Sequence, residues 1–154
     1  MFLILIGLAA CIWISYEDFR TRYIPLWGLI ILAIAGLAKL LLEHGILFYD
    51  WLLNLGICLL IWGVVYAYFK WLRGQEVMDQ LLGWGDVVML LAITPWLQSS
   101  SYLLLYIVSV FAALIFSVIL RLKNGTFGEI PLAGFLGLSF IWIQGQSLWL
   151  QLNI

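Results

Sequence analysis

The sequence predicts an all-α, polytopic membrane protein: a bundle of six transmembrane helices forming one domain over residues 1–154. Three observations lead there. Of the 154 residues 66% are hydrophobic and 10% charged, whereas a soluble domain carries about a quarter charged. The apolar residues run in blocks long enough to cross hydrocarbon. The cations gather on one side of those blocks. A net charge of −1 with no basic patch beyond these gives no footing for nucleic acid.

The apolar segments are Phe2–Tyr16, Ile24–Leu42, Tyr49–Trp71, Leu81–Leu97, Tyr102–Leu120 and Ile130–Leu150. Short joining loops make neighbouring helices antiparallel. Tyr16, Tyr23, Tyr49, Trp51, Trp71, Trp96, Tyr102 and Trp149 fall near segment ends, as interfacial belts require.

Orientation follows from Lys and Arg. Arg20 and Arg22 follow segment 1, Lys70 and Arg73 follow segment 3, and Arg121 and Lys123 follow segment 5. Only Lys39 lies at the other end. The excess puts loops 17–23, 72–80 and 121–129 in the cytoplasm and both termini outside.

Segments 1 and 4 are short for a span of about 20 residues. Segment 1 reaches that length only by running through Glu17 and Asp18. Segment 4 has to start upstream, near Asp79 or Gln80, which would sink Asp86 roughly 9–10 Å into the helix. Two carboxylates then lie just below the cytoplasmic interface. A charge at membrane depth costs ~2.5–3.5 kcal/mol, so Asp18 and Asp86 are candidate functional residues.

Each sits in a turn-like motif: Asp18 ahead of Ile24-Pro25, and Gly83-Trp84-Gly85-Asp86. Pro25 suits a first helical turn, where its missing N–H costs nothing. Gly83 and Gly85 either leave room for an extended peptide beside Asp86 or only let helices pack closely. Asp18 could equally be an interfacial residue paired with Arg20 or Arg22.

Among the remaining acids, Glu43 and Asp50, with His44, belong to an outer loop and are most simply solvated. Glu76 and Asp79 lead into segment 4, Asp79 being the nearer to the site. Glu17 points about 100° away from Asp18. Glu129-Ile130-Pro131 opens segment 6, where Glu129 can cap the helix, and Gly134 and Gly137 suit close packing. Cys11 and Cys58 lie inside apolar runs as small buried hydrophobes. Leu8-Ala9-Ala10-Cys11 lacks the preceding cation of a signal peptide. The chain shows no Ser/His/Asp set, zinc motif or phosphate-binding loop, so no metal and no cofactor is expected.

Paired carboxyls support acid–base hydrolysis without a metal. One draws a proton from water while its protonated partner polarises the peptide carbonyl. They titrate as a pair.

At these residues the chain resembles the type IV prepilin peptidases, the bacterial members of the GxGD intramembrane aspartyl proteases. Asp18-Phe19-Arg20-Thr21-Arg22-Tyr23-Ile24-Pro25, Gly83-Trp84-Gly85-Asp86-Val87 and Glu129-Ile130-Pro131-Leu132-Ala133-Gly134-Phe135-Leu136 carry the resemblance. It implies an aspartic endopeptidase of six helices in the bacterial cytoplasmic membrane, with Asp18 and Asp86 as its catalytic pair. Implied substrates are prepilins or pilin-like secretion subunits, cut at the cytoplasmic face after a basic leader. The chain departs from the family pattern at Leu26, usually Asn, and at Val88, often Lys. Without zinc-binding cysteine pairs it is similar to the short form that has no methyltransferase domain.

A proton-coupled small transporter or channel component is the alternative, because intramembrane carboxylates also relay protons. A relay needs polar groups strung across the span, and segments 2, 3 and 5 offer almost none at mid-depth.

Overall fold

The computed structural model describes residues 2–42, 46–68, 70–71, 83–124 and 131–152. Glu43, His44, Arg73, Glu76, Asp79, Gln80 and Glu129 lie outside the described residues. Six helices follow in order: α1 Phe2–Thr21, α2 Leu26–Leu42, α3 Ile46–Tyr68, α4 Trp84–Ile93, α5 Ser99–Asn124 and α6 Leu132–Leu152. A single tight turn, Thr94–Trp96, extends α4. The all-α expectation holds. By length and composition, three of the described helices can cross a membrane, over Phe2–Thr21, Phe48–Ala67 and Ser99–Leu122.

Helix α1 lies between α2 and α6. Ile4, Gly7, Cys11, Ile14 and Asp18 recur at spacings of three and four, so one face of α1 is buried and Asp18 is its last member. Small residues bring the neighbours close. A side chain at Gly137 of α6 would meet Ser15 and, at 3.2 Å, the Cys11 carbonyl; one at Gly28 of α2 would meet Ile14 at 2.8 Å. The face turned from the core is apolar as well: Ile12, Ile34, Leu59 and Ile115 are exposed, as lipid-facing positions are. Helix α3 lies at the edge, against the Thr94–Trp96 turn, α5 and α4.

Three expectations are corrected. Helix α4 does not run through Gly83. That residue is extended (φ −63°, ψ 134°), α4 starts at Trp84, and Asp86 occupies its first turn instead of lying deep inside it. Span length is a poor guide to this helix because it assumes an unbroken helix, whereas Gly83 is extended. Nor do Trp96 and Tyr102 belong to an interfacial belt; each is only 1% exposed. Trp96 fills the space left by Gly7 and Gly36 and meets Phe140 edge-on at 5.6 Å. Its Nε1–H donates to the Leu32 carbonyl at 3.0 Å, as a buried indole requires. Finally, Asp50 belongs to α3 and caps α5, accepting from Ser99 N at 3.2 Å and Ser99 Oγ at 2.7 Å.

Helix α3 also carries a polar group the sequence reading passed over. Asn54 is fully buried, and its Nδ2 donates to the carbonyls of Thr94 at 3.1 Å and Leu97 at 2.8 Å. Those carbonyls lie where the Thr94–Trp96 turn gives way to extended Leu97 and the helical ladder stops.

Candidate active site

The aspartates meet at the end of the bundle that carries Arg20 and Arg22. Asp18 is 5% exposed, one turn before the end of α1. A carboxylate there faces the negative pole of its own helix, an unfavourable placement unless another group compensates. Helix α6 supplies that group: the Gly134 amide donates to Asp18 Oδ2 at 2.7 Å. The preceding amide, of Ala133, donates to Asp86 Oδ1 at 2.9 Å. First-turn amides have no acceptor within their own helix, and the helix dipole adds positive potential, so a helix N-terminus is a natural seat for carboxylates. Asp86 gains twice, since it also lies in the first turn of α4, where its own N–H donates to Gly83 O at 3.0 Å. The two carboxylates are close enough to act on one another electrostatically.

Pro131, buried, stands just before α6, and its carbonyl accepts the helix's first bond from Phe135 N at 3.3 Å. Gly134 is required by the approach of α1: a Cβ there would lie 2.8 Å from Phe19 Cε2. The Phe19 ring stands edge-on to Phe135 at 5.2 Å, and Phe135 meets Phe116 of α5 at 5.6 Å. An aromatic seam thus locks the α6 terminus beside Asp18.

The glycines of the second motif divide their duties. Gly85 packs against Ile24, whose Cγ1 would lie 3.2 Å from a Cβ built there. Gly83 is exposed, and among the described residues a Cβ there would meet only Asp86 Oδ2 at 3.6 Å and Gly85 N at 3.9 Å. Of the two sequence readings, close packing therefore fits Gly85, and among the described residues nothing crowds Gly83. Pro25 immediately precedes α2, and its carbonyl accepts from Leu29 N at 3.2 Å.

Of the residues picked from sequence, Asp18, Asp86, Gly83, Gly85, Pro25 and Pro131 lie at this end; Asp79 is outside the described residues. Sequence reasoning missed the amides of Ala133 and Gly134. The glycine following Ile-Pro was the available signal, read only as a packing residue. Among the described residues no cluster of three or more His, Cys, Asp or Glu side chains gathers to hold a metal.

No curated protein and no solved structure matches the chain. A family model does, over a stretch that includes both Asp18 and Asp86 and stops before α6. With residues 5–118 matched, the chain belongs to the type IV leader peptidase family.

Proposed function

We propose that Asp18 and Asp86 are the catalytic pair of a membrane aspartic endopeptidase that removes the basic leader from prepilins or pilin-like secretion subunits. The observation that carries this reading is the pair of consecutive amides, Ala133 and Gly134, each holding one of the two carboxylates. Two acids fixed on adjacent residues of one helix terminus are preorganised to share a proton. The ionised member takes a proton from water as that water attacks the scissile carbonyl carbon, and the protonated member donates to the carbonyl oxygen. The proton then passes to the leaving amine. The room that the described residues leave beside Gly83 supports an extended segment of substrate approaching Asp86.

In this reading all six helices lie in the bacterial cytoplasmic membrane. The site is near the cytoplasmic face, because Arg20 and Arg22 adjoin it and cations favour that side. Both termini are outside. A substrate whose own apolar helix follows its cleavage site would present that site at this depth.

The test is processing of a co-expressed prepilin, followed by gel shift at matched enzyme levels. Asp18→Asn and Asp86→Asn should each abolish cleavage, and the double variant should be no worse than either, as for residues acting as one unit. Cleavage near the parent rate by either single variant would sink the reading.

A further inference from the structure

Helix α1 ends in an uncommon way. The Arg22 amide donates to the Asp18 carbonyl at 3.1 Å, the bond that closes a helix when the next residue turns left-handed. That position usually belongs to glycine, because a Cβ is strained there. Here it is Arg22, with φ 61°, and among the described residues no other non-glycine has a positive φ. The side chain is half-buried and lies close enough to Asp18 to act on it electrostatically. Its Nη1 is shielded from solvent and has no hydrogen-bond partner among the described residues. A buried guanidinium donor without an acceptor is costly, so a strained backbone that retains one beside Asp18 points to an acceptor supplied from outside.

Resting on the peptidase reading above, we propose that Arg22 is a substrate-binding residue, whose Nη1 donates to a main-chain carbonyl oxygen of the substrate flanking the scissile bond. A neutral acceptor fits the surroundings, because a carboxylate ligand would be repelled by Asp18 and Asp86. The scissile carbonyl itself faces the protonated aspartate. Arg22 therefore acts equally on bound substrate and transition state, and its loss weakens binding while sparing the chemical step.

Glycine separates the backbone role of Arg22 from its side-chain role, since Arg22→Gly keeps the left-handed turn and removes only the guanidinium. The full chain in lipid–detergent micelles is assayed on a prepilin with a basic leader, resolving KM from kcat. Arg22→Gly should melt no lower than the parent, raise KM about tenfold or more and leave kcat within about threefold. Added guanidinium ion should lower that KM again, and Arg22→Lys should fall between. An unchanged KM, or a loss confined to kcat, would overturn the proposal. So would failure of Arg22→Gly to accumulate, which would make Arg22 a folding residue. Asp86→Asn run alongside separates the two claims. If it cleaves normally, the peptidase reading itself is wrong; if it is inactive while Arg22→Gly binds normally, only the Arg22 assignment falls.

Discussion

Gly134 lies so close under Phe19 that a methyl group added to it would sit 2.8 Å from the ring. The contact involves two side-chain positions, yet its effect is on a backbone bond: it lets the Gly134 N–H reach Asp18 at 2.7 Å.

Gly134→Ala should therefore push α6 away from α1 and stretch the bond to Asp18. Overpacking of this kind costs about 1–3 kcal/mol, and leader cleavage should fall by about tenfold or more. Phe19→Leu, introduced together with it, should recover part of the activity by making room. Melting temperature and processing rate of the single and double variants provide the check; a Gly134→Ala enzyme as active as the parent would dissociate this amide from the site.

The two glycines of the second motif should respond unequally. Gly85→Ala drives a methyl into Ile24 and should lower both stability and activity, with partial rescue by Ile24→Ala. Gly83→Ala meets nothing nearer than 3.6 Å among the described residues, so folding should be little affected and any loss should appear in KM. Equal melting curves for the two variants would contradict this division.

At the other end of the bundle, Asn54→Ala leaves the Thr94 and Leu97 carbonyls without a donor. The expected cost is about 1–2 kcal/mol, between the values for buried hydrogen bonds in water and in membranes. Asp50→Ala should cost about 1 kcal/mol through the lost cap on α5. Both enzymes should cleave normally once folded. Unfolding followed by intrinsic Trp fluorescence measures the stabilities, and a catalytic defect in folded protein would tie this end to the site.

Topology can be tested with single added cysteines. Cys11 and Cys58 are buried and should stay silent toward a membrane-impermeant maleimide. In intact cells Gln98→Cys should label and Tyr23→Cys should label only after permeabilisation. The reverse pattern would invert the orientation read from the cations.

Much of this arrangement was legible before any coordinates, because hydrophobic runs and cation bias are local properties. Asp18 was visible as the terminal member of a segment too short without it, and α1 does run through Glu17 and Asp18. The start of α4 is not legible, because the span-length rule assumes a continuous helix whereas Gly83 is extended. Asp50 looked like a solvated loop acid since its partner, Ser99, is distant in sequence. The seat of the carboxylates was hidden for the same reason: Gly134 is far along the chain from Asp18, and a backbone amide leaves no trace in residue type. Arg22 was legible as a topological cation, but its left-handed turn was not.

One helix holding both acids has a consequence for how activity is graded. Neighbouring amides of a rigid helix move together, so a small sliding of α6 breaks the bonds to Asp18 and Asp86 in the same event. On the peptidase reading proposed above, such a slide would unseat both members of the catalytic pair together. Lipid thickness, temperature and distant substitutions in α5 or α6 would then act on both carboxylates through the position of that one helix terminus.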